Sequence, residues 1–122
     1  MTEERLALGK KGEEIAAAFL KKSGYRIKER NYRSPLGEID IIATEKKTIV
    51  FVEVKTRSST FFGHPSHAVG KHKQRQLIKT ALYYLAEKRL ERNPARFDVV
   101  SIIHSGNETT TELIKNAFDA PS

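Results

Sequence analysis

Two short β-branched runs, each interrupted by charged residues, constrain the fold of this chain more than any other feature. Ile39–Ala43 and Ile49–Val54 are rich in the residues that favour strands. The polar stretch Thr44–Lys47 between them has the length of a hairpin connection, so we predict a β-hairpin. Because side chains alternate along a strand, Asp40 and Glu53 each project from a strand that is otherwise largely apolar.

The length of the turn decides how Asp40 and Glu53 face each other, and the sequence leaves two lengths open. A two-residue turn at Lys46-Lys47 places the two carboxylates directly opposite, roughly 5 Å apart at Cβ. A four-residue turn over Thr44–Lys47 makes them diagonal neighbours at roughly 7–8 Å. Both registers put them on one face, where two carboxylates can hold one hard cation such as Mg²⁺.

Lys55 follows Glu53 on the same face of the second strand, which leaves two interpretations of the cluster. Two carboxylates and one ammonium group are the minimum set for metal-assisted phosphodiester hydrolysis. The same three side chains could instead form an exposed salt-bridge cluster on the sheet, an arrangement with no catalytic role. The pattern alone does not decide between them.

The rest of the chain predicts an α-β-β-β-α-β-β order around this hairpin. We expect a first helix from about Glu3 to Lys22, a loop over Arg57–Pro65, and a second helix from a Ser66 cap to about Leu90. The second helix should bury Leu77, Ile78, Ala81, Leu82 and Leu85. The remaining predicted strands are Tyr25–Tyr32, Phe97–Ile103 and Thr109–Ile114.

Length and composition restrict the class of protein. The chain has 122 residues, of which 39% are hydrophobic, and this fits a single α/β domain over residues 1–122. It has no cysteine, which excludes disulfides, thiolate zinc sites and thiol catalysis. We recognise neither a signal peptide nor a membrane-spanning segment, and therefore expect a cytoplasmic protein without a membrane partner.

The charge distribution favours a polyanionic partner. Lys and Arg number 22 against 15 Asp and Glu, giving a net charge of +7. Basic residues cluster between Lys21 and Arg33, and no acid occurs from Val54 to Ala86. Phosphates attract such clusters, although an ordinary basic surface remains the alternative. The candidate nucleic-acid contacts are Arg26, Lys28, Arg30, Arg33, Arg57, Lys71, Lys73, Gln74 and Arg75.

At the hairpin the sequence resembles a known family. The segments that carry the resemblance are Gly37-Glu38-Ile39-Asp40-Ile41-Ile42-Ala43 and Val50-Phe51-Val52-Glu53-Val54-Lys55-Thr56-Arg57. They resemble the YraN-like family of bacterial proteins, a branch of the PD-(D/E)xK nuclease superfamily similar to Holliday-junction resolvases. The resemblance extends from Gly9–Glu13 to Asn116–Phe118 and implies a restriction-endonuclease-like core, α-β-β-β-α-β, with a mixed central sheet flanked by helices.

The resemblance also implies roles for individual residues. Asp40 and Glu53 would bind Mg²⁺ or Mn²⁺, with the Val54 carbonyl and Glu13 as further ligands. Lys55 would position or deprotonate the attacking water and stabilise the charge on the phosphate. Ile39 stands where the superfamily has proline, which weakens the motif match but not the chemistry. Glu38 is an alternative or supporting ligand, and Glu13 could equally be a solvated helix residue.

Two function classes follow, and the sequence keeps both open. The first is a divalent-metal-dependent endonuclease acting on DNA, including branched or single-stranded DNA, in repair or recombination. The second is a nucleic-acid-binding protein of nuclease fold whose site is dormant, with an RNA-binding accessory protein as a weaker variant. A homodimer is an open alternative to a monomer. His64-x-x-His67 lacks the further ligands of a zinc site, so we expect no histidine metal centre.

Overall fold

A computed structural model describes residues 3–58 and 69–119, in which five strands form one sheet flanked by two helices. This is the α/β architecture of a restriction-endonuclease-like core, and the predicted order of elements is confirmed. In chain order the elements are α1 (Glu3–Lys22), β1 (Arg26–Ser34), β2 (Gly37–Glu45), β3 (Thr48–Ser58), α2 (Lys71–Glu87), β4 (Ala95–Ser105) and β5 (Glu108–Phe118). None of the described helices is long and apolar enough to cross a membrane.

The sheet is mixed, with its strands in the order β1-β2-β3-β4-β5. β3 and β4 are parallel, whereas the other three neighbouring pairs are antiparallel. Parallel neighbours need a crossover connection, and α2 lies in that connection. The central strands β2 and β3 therefore have partners on both sides, which explains why both hairpin runs are so rich in apolar residues.

Each face of the sheet is covered by one helix, so the protein has two apolar cores. On one face the buried α2 residues pack against Ile39, Ile42, Ile49, Phe51 and Val99. On the other face the buried α1 residues pack against Ile41, Ala43, Val50, Val52 and Val100. Alternate residues of β3 contribute to the two cores, as the period of a strand requires. Glu53 and Lys55 follow Phe51 in this alternation and lie on the α2 face.

Both helices end in the same hydrogen-bonded motif. Gly24, with φ 93°, closes α1, and the Tyr25 N–H donates to the Leu20 carbonyl at 2.9 Å. At the end of α2, Arg89 adopts the left-handed conformation (φ 59°) and the Leu90 N–H donates to the Leu85 carbonyl at 2.8 Å. The predicted end of α2 at Leu90 is therefore wrong by three residues. The position that ends a helix in this motif is usually a glycine, and here it is an arginine, which gives no such signal in the sequence.

Three further expectations need correction. α2 begins at Lys71, after Gly70 in an extended conformation, and the proposed cap Ser66 lies outside the described residues. Arg57 belongs to β3 and not to a loop, because it pairs with Ile103 of β4. Leu82 is 60% exposed, whereas Thr80 and Tyr84 are buried on α2 beside the expected Leu77, Ala81 and Leu85. Of the predicted loop, residues 59–65 lie outside the described part of the chain.

A buried charge network holds the hairpin end of the sheet together. Asp98 is completely buried and accepts hydrogen bonds from the Tyr25 hydroxyl at 2.7 Å and from Arg96 Nε at 3.0 Å. Arg96 also contacts Glu45 at 2.6 Å, and Lys115 contacts the same carboxylate at 2.9 Å. The network links the ends of β2 and β5 to the start of β4. These charges lie at the turn end of the hairpin and not at the end that carries Asp40 and Glu53.

Candidate functional site

The two hairpin strands part at the position of the predicted carboxylate pair. Their ladder runs from Glu45 opposite Thr48 to Ile41 opposite Val52, around a two-residue turn at Lys46-Lys47. This is the shorter of the two turns considered, and it gives Asp40 and Glu53 the next opposing positions. Beyond them β2 stays paired with β1 as far as Gly37, and β3 with β4 as far as Ser58. A notch therefore opens between β2 and β3, with Asp40 and Glu53 at its base.

The Asp40 side chain takes over where the main-chain ladder stops. The Val54 N–H donates to Asp40 Oδ2 at 2.8 Å. In a strand the N–H and the carbonyl of one residue point to the same side, because a hydrogen-bonded pair exchanges both bonds. The Val54 carbonyl is therefore directed toward the notch. The notch therefore has two oxygen atoms at its base, Asp40 Oδ2 and the Val54 carbonyl oxygen.

Glu53 is a buried acid with one oxygen atom that accepts no hydrogen bond within the described part of the chain. It is only 6% exposed, and its Oε2 atom has no hydrogen-bond partner among the described residues. Lys73 Nζ is the nearest cation, 3.6 Å from Oε2. Burial raises the pKa of Glu53 to about 8, and hydrogen bonding and charge repulsion from Asp40 add to the rise. An ionised carboxylate that is buried in this way destabilises the folded protein unless a cation or a proton neutralises it.

Two lysines bracket the carboxylate pair. Lys55 follows Glu53 on the same face of β3 and is half-buried. Lys73 lies in the first turn of α2 and reaches across to the sheet. Both lysines act to lower the pKa of Glu53, with Lys73 the larger influence. The site thus combines two adjacent acids with two lysines whose charge favours the ionised form of Glu53.

Glu13 approaches the same region from the α1 face. With the Asn31 amide oriented so that its nitrogen faces α1, Asn31 donates to both Glu13 oxygens, at 3.1 and 3.3 Å. Asn31 lies on β1 between the residues that pair with Ile39 and Ile41, and so stands beside Asp40. Across residues 3–58 and 69–119, no three His, Cys, Asp or Glu side chains converge as a metal-binding group. Glu13 is therefore adjacent to the carboxylate pair through Asn31 without joining it.

The position of Glu13 depends on a close helix–strand contact at Gly12. A Cβ atom at Gly12 would overlap the Thr56 hydroxyl, so only glycine lets α1 approach β3 this closely. Thr56 follows Lys55 directly along the strand. Gly12 therefore allows α1 to bring its next residue, Glu13, close to β3.

The predicted nucleic-acid residues of α2 and β3 differ in their position relative to the notch. Lys71 and Arg75 are exposed in the first turns of α2 but lie about 160° around the helix from Lys73, which contacts Glu53. Arg57 extends along β3 beyond Lys55, and its Nη2 donates to the Ser101 hydroxyl at 3.3 Å. Gln74 does not face the notch, because its Nε2 donates to the Val69 carbonyl at 2.8 Å.

The other predicted basic residues are distributed along β1. Arg26 pairs with Thr44 near the hairpin turn, four residues along β2 from Asp40, and Lys28 is two residues on. Arg30 is exposed on the same strand, and Arg33 forms an exposed ion pair of 3.4 Å with Glu38. Glu38 also lines a pocket at the β1–β2 turn together with Lys73. His72 is exposed, whereas His64 and His67 lie outside the described residues.

Comparison with known proteins identifies the family. The model of "Uncharacterised protein family UPF0102" matches residues 12–102. The chain belongs to the UPF0102 family. A UPF0102 protein of Syntrophotalea carbinolica is 49% identical over 119 residues, covering 98% of this chain and 97% of its own length. The UPF0102 protein of Moorella thermoacetica is 49% identical over 120 residues, covering 97% of this chain and its whole length.

The match confirms the resemblance to the YraN-like family and contains the whole candidate site. A UPF0102 protein of Syntrophus aciditrophicus is 52% identical over 116 residues, covering 95% of this chain and 91% of its own length. The matched segment of this UPF0102 chain begins at Gly12 and includes Glu13, Asp40, Glu53 and Lys55. The names of these relatives specify no reaction, so the chemistry rests on the geometry of the notch.

One residue of this region, Asn31, was not predicted from the sequence. Asn31 has φ 54°, a left-handed conformation that asparagine tolerates better than most residues. It lies within the predicted strand Tyr25–Tyr32, and its position there gave no sign of a role. The only available signal was the residue type, because strands disfavour asparagine.

Proposed function

We propose that this UPF0102 protein is a divalent-metal-dependent nuclease that hydrolyses phosphodiester bonds of DNA. The observation that carries the proposal is the buried Glu53 carboxylate, whose Oε2 has no hydrogen-bond donor among the described residues, beside Asp40. Lys73 forms an ion pair with this atom at 3.6 Å, which is longer than a charge-assisted hydrogen bond. A buried carboxylate oxygen that accepts no hydrogen bond from the described residues, in a notch between strands, is suited to a metal ion.

The donor set fits Mg²⁺ or Mn²⁺. Asp40 and Glu53 would hold the ion, and the Val54 carbonyl is directed toward the same gap. All three are oxygen ligands, which hard divalent cations prefer, and few protein ligands suffice because Mg²⁺ keeps several waters. When bound, the ion would supply Lewis-acid polarisation of a phosphate oxygen and a lower pKa for a bound water.

Lys55 supplies the chemistry that carboxylates do not. Its ammonium group lies on the same face of β3 as Glu53, where it can orient the attacking water or take up its proton. In the charged form it stabilises the negative charge that develops on the phosphate. Lys73 holds Glu53 toward its ionised form, which is the form that binds a cation.

The substrate class follows from charge. The net charge of +7 and the exposed cations Lys71 and Arg75 of α2 favour a phosphate backbone as the partner. We extend the proposal to branched or single-stranded DNA in repair or recombination, as the family resemblance implies. The lack of cysteine agrees with a reducing cytoplasm.

A second candidate function is nucleic-acid binding without catalysis. It is favoured by the finding that Glu13 does not join Asp40 and Glu53 in the part of the chain that the structure describes. Two carboxylates without a third would hold a cation more weakly. In this alternative, the basic surface binds the same substrates and the notch is inactive.

Cleavage of a substrate panel separates the two functions. The panel contains junction, flap, single-stranded and duplex DNA together with one RNA strand, each with Mg²⁺ or Mn²⁺. We expect wild type to cut at least one DNA substrate, Lys55→Ala to be slower by about 10²–10³-fold, and the exposed-lysine control Lys79→Ala to match wild type. Binding without cleavage of any panel member would establish the second function and refute the nuclease proposal.

A further inference from the structure

A second basic region lies at the hairpin end of the sheet, remote from the notch. A cavity of about 650 Å³ opens there between the start of β1, the turn of the β2–β3 hairpin and the segment after α2. Its volume is in the range of small-ligand sites. Six of its lining residues are cationic: Arg26, Lys28, Lys46, Lys47, Lys88 and Arg92.

The cations that line this cavity are not balanced by acids in its lining. No Asp or Glu lines it, and none of the six cations forms an ion pair within the described ranges. The nearby Glu45 is already held by Arg96 and Lys115. The C-terminal end of α2 contributes only about half a negative charge, which is small against six cations.

The cavity is separate from the notch. Lys73 and Lys88 lie at opposite ends of α2, and the fifteen residue steps from one to the other span about 22 Å of helix. Two acids lie next to the positive surface of the cavity. Glu87 accepts a hydrogen bond from Tyr32, and burial together with the negative charge of Glu29 raises the pKa of Tyr84. A ligand in the cavity would therefore leave the notch accessible.

The cavity also offers apolar surface beneath its cations. Ile42 and Ile49 form its buried floor, the ring of Tyr84 lies beside them, and Leu90 and Pro94 form the wall after α2. Inorganic phosphate would use the cations but not this floor. A nucleotide uses both, because its phosphates can contact the lysines and arginines while its base packs on apolar side chains.

We infer that this cavity binds a nucleoside phosphate, supplied either as a free nucleotide or as one unit of a single strand. In the strand form the inference rests on the proposed function, because the cavity would be a second contact for the DNA that reaches the notch. In both forms the phosphates lie among Lys46, Lys47, Lys88 and Arg92.

Binding measured in EDTA tests the inference independently of cleavage. The probes are ATP, followed by titration calorimetry, and a labelled single-stranded oligonucleotide, followed by fluorescence anisotropy. The test variant carries Lys88→Glu and Arg92→Glu at the cavity. The control carries Lys21→Glu and Lys22→Glu, an equal change of charge at the exposed end of α1 on the other face of the sheet. Thermal melts establish that both variants are folded.

We expect the cavity variant to bind at least one probe about tenfold more weakly and the control to stay near wild type. Loss of ATP binding would assign the cavity to free nucleotides, and loss of oligonucleotide binding alone would assign it to a strand. The inference is overturned if wild type binds neither probe, if the cavity variant binds both as wild type does, or if both variants lose affinity equally. Oligonucleotide binding that depends on the cavity, without cleavage by wild type, would reject the nuclease proposal alone.

Discussion

The Val54 N–H donates to Asp40 Oδ2 at 2.8 Å at the position where β2 and β3 stop pairing. A side-chain oxygen thus replaces a main-chain acceptor, and the strands can separate without leaving that N–H unsatisfied. The same hydrogen bond fixes the Asp40 carboxylate beside Glu53. The opening of the notch and the pairing of the two acids therefore have one cause.

The raised pKa of Glu53 predicts a pH-dependent stability in EDTA. Unfolding returns Glu53 to its ordinary pKa, so between the two values the folded state binds the extra proton, and wild type loses stability as pH rises from about 5 to about 8. Glu53→Gln cannot lose this proton. Thermal melts should therefore show Glu53→Gln gaining on wild type as pH rises through this range.

The matched control for this experiment is Glu112→Gln, an exposed acid on β5. Its melting temperature relative to wild type should change little over the same range. A constant difference between Glu53→Gln and wild type at all pH values would mean that burial does not hold a proton on Glu53.

Lys73 should influence Glu53 directly. Because the ammonium group 3.6 Å from Oε2 favours the ionised carboxylate, Lys73→Ala should raise the pKa of Glu53 further. A carbon-detected NMR titration of the Glu53 carboxyl measures this, with the exposed Lys79→Ala on the same helix as the control. An unchanged Glu53 titration in Lys73→Ala would show that the contact does not persist in solution.

Gly12 predicts a coupling between α1 and β3. Gly12→Ala should destabilise the protein by about 1–3 kcal/mol, because its methyl group overlaps the Thr56 hydroxyl. In a Thr56→Ala background the overlap is removed, and the better helix propensity of alanine should make Gly12→Ala neutral or stabilising by about 1 kcal/mol. Urea unfolding of the four proteins measures the coupling. Equal costs in both backgrounds would contradict the close approach.

The sequence was sufficient to predict the hairpin and the pairing of Asp40 with Glu53. Apolar residues with a period of two define the strands, and this period puts both acids on one face in either register. The structure breaks the period at Asp40, because Ile39 packs in the α2 core and Ile41 in the α1 core. The ends of α2 were less predictable. Arg89 adopts a left-handed conformation that its residue type does not predict. On the same helix Leu82 is exposed and Tyr84 is buried, contrary to the helical pattern of apolar residues.

Charge clusters along the chain proved a poor guide to location. Arg26 and Lys28 are close to Arg33 in the sequence, but each residue of a strand adds about 3.3 Å to its length. This one cluster therefore extends from the hairpin end of β1 to its other end, beside the notch. Lys46 and Lys47 looked like ordinary turn residues. They join Lys88 and Arg92 only because the hairpin turn and the end of α2 meet on one face.

Titration calorimetry with Mn²⁺ tests most directly the claim that Asp40 and Glu53 hold a divalent ion. Wild type is compared with Asp40→Asn and with Asp119→Asn, an exposed acid near the end of β5, after melts have shown that all three are folded. We predict saturable binding by wild type and Asp119→Asn and its loss in Asp40→Asn, because the amide oxygen can still accept from Val54 but carries no charge. Equal binding by all three proteins, or binding by none, would contradict the assignment.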